Sequence, residues 1–235
     1  MLSLIPLLAT LAAAALLALG VRPQRQIRPW LRWTLVAALA GSELVEQIWP
    51  LVDHDWVLAQ TMPVQLSDLA TVLAVVALAW PRWHMGNVLT YFWGLAAGCL
   101  GLAFPAIGAV YPSPLYFAFY VDHGALLTTG LMIAAAGGLR IGWRAIMFAW
   151  GATMMAAIVA GTANLLTGGD YMFLRVPPPT WSPLMVMGPW PWYVAVAWGL
   201  CPLLFFLFAL PWWLGKLRPP LQPLPWHRAA ERPSR

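Results

Sequence analysis

Hydrophobic residues run in long blocks along this chain, and the breaks between blocks fall on Pro, Gly and charged residues. A block of about 20 apolar residues is enough to cross roughly 30 Å of hydrocarbon as a helix. The pattern predicts seven such spans, at about 2–20, 30–50, 63–80, 87–106, 115–137, 142–167 and 189–214. Short connections leave no room for a second domain, so residues 1–217 read as one transmembrane helical domain. The Pro- and Arg-rich tail, 218–235, is expected to be disordered. The fold class is therefore an all-α membrane protein, a seven-transmembrane-helix bundle.

Composition strengthens this reading, because 61% of residues are hydrophobic, 9% are charged and sixteen are Trp, a residue favoured at membrane interfaces. Cys99 and Cys201 lie far apart inside apolar runs and read as packing residues, without metal or disulfide spacing. The net charge of +5 is carried by short basic groups that flank the spans, a pattern of membrane topology and not of nucleic-acid binding.

Loop charge predicts the orientation. Arg22, Arg25, Arg28, Arg32, Arg82, Arg140, Arg144, Lys216, Arg218, Arg228, Arg232 and Arg235 fall on alternate connections, whereas the opposite connections hold only Arg175. Twelve basic residues against one place the N-terminus outside and the C-terminus in the cytoplasm. The first span ends in ALALG and resembles a cleaved signal peptide, but it lacks a basic start, and cleavage would leave the four-Arg segment outside. It is read as a helix.

Polar residues inside the spans then sort by depth, all in the outer half. Glu43, Glu46 and Gln47 precede Pro50; Gln65, Ser67 and Asp68 follow Pro63; Asp122 and His123 lie seven and eight residues into the fifth span; Asn164 is near the end of the sixth. The Asp–His pair sits about 10–12 Å deep at 1.5 Å per residue. Such groups in lipid pair with one another or line a wet cavity, so four spans are expected to converge on one outward-opening site with Asp122 and His123 at its floor. Glu43, Glu46 and Gln47 share a helix face, as do Gln65 and Asp68. Asp122 and His123 are adjacent and point about 100° apart, so the partner of His123 is expected from another helix.

Three blocks, MPVQLSDLATVL, YVDHGALL and GTANLLTGGDYMFLRVPPPTWSPLMVMGPWPWY, resemble the transmembrane protein 164 / YwaF family of integral membrane proteins, over roughly Glu43 to Tyr193. The resemblance implies a lipid acyltransferase with a Cys nucleophile and a His, in a multi-pass protein of the bacterial inner membrane. Carried over, the nucleophile falls on Ser67, where the family has Cys, and the histidine on His123; Asp122 stands where a second His is common. In that reading His123 takes the Ser67 proton, and the acyl group passes from a phospholipid to a lysophospholipid or to water. Asp68, Glu43 or Glu46 would hold the imidazole. Gln65, Asn164 or Tyr171 could donate to the oxyanion, and Arg175 could meet a lipid phosphate.

Blander roles stand beside these. Ser67 could cap its helix, His123 could bond between helices, and the GGDYMFLRVPPP segment could be a rigid interfacial loop. Glu43, Glu46, Asp68 and His123 could hold a metal, but a single intramembrane imidazole argues against it, so no metal or cofactor is expected. The triplet Asp53, His54, Asp55 reads as a solvated turn. Two other function classes remain open. A small-solute transporter or channel needs polar groups in the cytoplasmic halves as well, and a non-catalytic receptor or scaffold needs only helix glue.

Overall fold

The computed structural model describes residues 10, 27–136 and 139–215. The first predicted span, 2–20, apart from Thr10, and the tail, 218–235, lie outside the described residues. The helices are α1 (Pro29–Val52), α2 (Leu58–Thr61), α3 (Leu66–Ala79), α4 (His84–Ala103), α5 (Pro114–Ala135), α6 (Trp143–Thr167) and α7 (Trp192–Trp213). Two 3-10 turns, Tyr171–Phe173 and Pro183–Val186, lie between α6 and α7, and there is no strand among the described residues. Five helices, α1, α4, α5, α6 and α7, are long and apolar enough to cross a membrane.

Local chemistry sets the ends. Pro29 and Pro114 open α1 and α5, where a missing N–H costs nothing. Gly168, at φ 78°, closes α6 in the left-handed conformation that glycine adopts freely. The predicted span 63–80 is shorter than expected, since α3 has 14 residues, about 21 Å of helix. Pro63 holds Met62 extended, and the helix starts only after Gln65, whose side chain forms a capping box with Asp68.

Helices α4 and α5 form the centre, and no other pair packs so extensively. Glycines of α4 let the two backbones close. A Cβ at Gly94 would lie 2.8 Å from Leu126 O, and one at Gly98 would lie 2.9 Å from both His123 O and Leu127 N. Small residues at such crossings are the usual means of close helix packing in lipid. Helix α1 buries Leu31, Leu35, Leu39 and Ser42, a stripe at helical spacing that packs against α5 and α3.

Hydrogen bonds tie the outer helices to α4. Trp93 Nε1 donates to Thr153 Oγ1 of α6 at 2.9 Å, and Tyr91 OH donates to Phe208 O of α7 at 2.8 Å. Ring contacts of Tyr91 with Trp212 and of Phe92 with Phe205 extend the second junction. At one end of the bundle the segments 53–65, 104–113 and 168–191 meet, joined by Tyr171 OH to Leu58 O at 2.6 Å and Thr180 Oγ1 to Pro105 O at 3.0 Å. Every described Asp and Glu lies at this end or in the helix halves leading to it, while Arg28, Arg32, Arg82, Arg140 and Arg144 lie at the other.

Candidate functional site

Three carboxyl groups converge beneath the acidic end. Glu43 and Glu46 come from one face of α1 and Asp68 from the first turn of α3, and each offers an oxygen within 4.8 Å of the other two. Glu43 accepts a bond from Gln47 Nε2 at 3.3 Å. Asp68 Oδ2 accepts from the Gln65 N–H at 2.8 Å, and its Oδ1 accepts from Ser67 Oγ at 3.4 Å. No Lys or Arg is paired with these groups among the described residues. Carboxyl groups this close in an apolar setting are electrostatically acceptable only with protons or a cation between them, so Glu43, Glu46 and Asp68 are the residues able to hold a metal ion.

Asp122 lies deeper and links three helices. Its Oδ1 accepts from Thr71 Oγ1 of α3 at 2.6 Å and from Ser42 Oγ of α1 at 3.3 Å. All three residues are buried. The site therefore reads as a polar seam between α1, α3 and α5, with the Glu43–Glu46–Asp68 group above and Asp122 below.

His123 faces another way. Its Nδ1 lies 2.9 Å from Phe119 O, and since a carbonyl only accepts, Nδ1 carries a proton, so that in the neutral ring the lone pair is on Nε2. The ring stacks on Phe119, centroids 4.1 Å apart at 28°. Asp122 Oδ2 is 3.7 Å from Nδ1, too long for a hydrogen bond. The partner of the imidazole thus comes from the preceding turn of its own helix, and not from another helix as the sequence suggested. The ring folds back along α5, where the i−4 carbonyl is within reach.

A second network adjoins the first at Gln65. Asn164 grips Tyr171 by its backbone, accepting the Tyr171 N–H at Oδ1 (2.6 Å) and donating from Nδ2 to Tyr171 O (3.0 Å). Tyr171 OH donates to Leu58 O and accepts the Met62 N–H at 2.9 Å. The Met172 N–H donates to Gln65 Oε1 at 2.7 Å. These bonds hold a turn in which Met172 and Phe173 have φ of 57° and 53°, a conformation that non-glycine residues adopt only when their surroundings impose it. Asp170 accepts the N–H groups of Arg175 (2.7 Å) and Val176 (3.2 Å), and Arg175 Nη1 donates to the carbonyls of Gly168 and Gly169. Tyr193 OH and Trp190 Nε1 donate to Phe173 O and Leu174 O.

The structure brings Glu43, Glu46, Asp68 and Ser67 together and joins Asp122 to them through α1 and α3. Among the described residues no hydrogen bond links Ser67 to His123. Gln65, Asn164 and Tyr171, expected beside a substrate, use their polar atoms to pin the 168–176 segment, and Arg175 stands exposed on that segment. Asp53, His54 and Asp55 form an exposed turn. Sequence reasoning missed Ser42, Thr71 and Phe119. Spacing could have found two of them, because Ser42 and Glu46 are i, i+4 and Asp68 and Thr71 are i, i+3, each pair on one face.

The chain belongs to the TMEM164 family, whose model matches residues 1–209. This is the transmembrane protein 164 family that the three sequence blocks resemble. No curated protein and no solved structure matches the chain.

Proposed function

We propose that this TMEM164-family protein moves a fatty acyl group from a phospholipid to a lysophospholipid or to water, with Ser67 as nucleophile and His123 as base. The observation that carries the reading is the imidazole of His123, fixed by Phe119 O so that Nε2 is left as a proton acceptor inside an apolar bundle. Ser67 supports it from α3, half-buried, with its hydroxyl on Asp68. That bond is long, and the proposed cycle requires substrate binding to release it and to bring Ser67 and His123, which share no hydrogen bond among the described residues, into contact.

The reaction then balances in two halves. His123 Nε2 takes the Ser67 proton as Oγ bonds to the ester carbonyl carbon. The bond to the glycerol oxygen breaks, and that oxygen leaves with the proton from the imidazolium as a lysophospholipid hydroxyl. A second lysolipid hydroxyl or a water attacks the acyl-serine in the reverse sense and restores Ser67. Asp122 lies 3.7 Å from Nδ1, and in its ionised form it would lower the cost of the imidazolium.

In the same reading the chain crosses the membrane seven times with its N-terminus extracytoplasmic and its C-terminus cytoplasmic, and the site serves the outer leaflet. Among the described residues, Arg28, Arg32, Arg82, Arg140 and Arg144 lie at the end away from the carboxylates and only Arg175 lies with them, which supports this orientation. The YwaF side of the resemblance points to the bacterial inner membrane. The test is purified protein in lipid discs holding a phospholipid with a labelled acyl chain and an unlabelled lysophospholipid. Label should appear on the acceptor or as free fatty acid, and fall at least 100-fold in both Ser67→Ala and His123→Gln. A wild-type protein that moves no label in either direction sinks the proposal.

A further inference from the structure

The face of α4 that meets α5 carries Gly94, Gly98 and Gly101, but the three glycines meet different things. At Gly94 a Cβ would strike the backbone of α5, and at Gly98 the backbone together with the Cβ of Leu127. At Gly101 the nearest atoms all belong to the His123 ring: Cδ2 is closest, Nε2 would be 2.5 Å away and Cγ 2.9 Å. No backbone atom is among them. Gly101 is thus less a helix-packing residue than the floor on which one imidazole lies.

Three features fix the ring. Phe119 covers one face, Phe119 O accepts the hydrogen bond from Nδ1–H, and the bare Cα of Gly101 admits the Cδ2–Nε2 edge. A methyl group at 101 would overlap that edge. The least costly response is rotation of the side chain, since the clashing atoms are side-chain atoms and the helices are held by other contacts. Rotation moves Nδ1 away from Phe119 O, and with that bond gone nothing selects the tautomer that leaves Nε2 free.

We infer that Gly101 is a positioning residue for His123, its missing side chain being what keeps the imidazole in the Nδ1-protonated, Nε2-free form. The inference deepens the acyl-transfer reading and rests on it for its catalytic consequence, while the tautomer itself can be observed without any activity. Other titratable groups facing this ring are Asp122 at 3.7 Å and, through Asp122, the carboxyls of α1 and α3.

The experiment is nitrogen-15 NMR of His-labelled protein in lipid discs, with His123 assigned by the resonances lost in His123→Gln. Wild type should show a protonated Nδ1 and a bare Nε2 for His123. Gly101→Ala should lose that pattern, whereas Gly94→Ala, which strains the same helix interface without touching the ring, should keep it. An unchanged pattern in Gly101→Ala overturns the inference. If Gly101→Ala does not fold, the double variant with His123→Ala decides: recovery of the wild-type melting temperature shows that the ring is what the methyl met, and no recovery overturns the inference. A wild-type tautomer as described in a protein that moves no acyl label removes the acyl-transfer reading and leaves the positioning role standing.

Discussion

Thr71 of α3 donates its hydroxyl to Asp122 of α5 across 2.6 Å, and both side chains are buried. A buried carboxyl stays in an apolar bundle only while its oxygens are bonded, and among the described residues Asp122 has one other donor, Ser42 at 3.3 Å, whose hydroxyl is shared with Leu39 O at 3.0 Å. Thr71→Val keeps the shape and removes the better donor. It should destabilise the folded protein by about 1–2 kcal/mol, read from reversible unfolding in mixed micelles. Adding Asp122→Asn should make the two effects clearly non-additive; strict additivity would mean that the bond is energetically idle.

The grip of Asn164 on Tyr171 leads to a second expectation. Two bonds, at 2.6 and 3.0 Å, hold a backbone turn with two residues at positive φ, so strain in the turn is balanced by the amide. Asn164→Ala should loosen the 168–176 segment and cost on the order of 2 kcal/mol. Limited proteolysis within that segment should rise well before global unfolding. Tyr171→Phe, which removes the bonds to Leu58 and Met62, should loosen α2 from the same segment. If both variants resist protease as wild type does, the network does not hold the loop.

The elements written most plainly in the sequence are those whose cause is local. Apolar runs long enough to span lipid mark α1, α4, α5, α6 and α7, and the i, i+3 spacing of Glu43 and Glu46 put both on the face that meets Asp68. Pro63 could have shown that the third span begins late, but the length of an apolar run hides where its first turn is capped. The spacing of Ser42 from Glu46 and of Thr71 from Asp68 marks a shared face but gives no sign of a partner on α5, and Ser42 also bonds back to Leu39 O. Hydroxyls in lipid usually bond back to their own helix, as Thr128 does to Gly124 O and Thr153 to Ala149 O, so a hydroxyl alone gives no sign of a partner elsewhere. Asn164 and Gln65 were read as free to meet a substrate because nothing in the pattern shows that Tyr171 and Met172 turn back onto them.

The proposed roles of Ser67 and Asp68 can be separated by kinetics. Ser67→Ala removes the nucleophile and should abolish acyl transfer with little loss of stability, since its one bond is long. Asp68→Asn keeps the Ser67 contact geometrically possible and retains an oxygen for the Gln65 N–H, so it should slow transfer no more than about tenfold if His123 is the base. A loss as large as that of His123→Gln would instead make Asp68 the group that takes the proton. Steady-state rates at fixed lipid fraction decide between them.

The crowding of Glu43, Glu46 and Asp68 makes the sign of one substitution informative. Their oxygens approach within 4.8 Å with no cationic side chain paired to them among the described residues, so like charges oppose folding unless something lies between them. Among the described residues the Glu46 side chain makes no hydrogen bond, and Glu46→Gln removes one potential charge while keeping the volume. In protein stripped with chelator and free of bound cation, it should therefore raise stability, by on the order of 1 kcal/mol. The measurement is thermal unfolding before and after metal removal, with metal content followed by elemental analysis. Destabilisation by Glu46→Gln that appears only in unstripped protein, together with loss of a stoichiometric ion, would show that the three carboxyls hold a cation in place of shared protons.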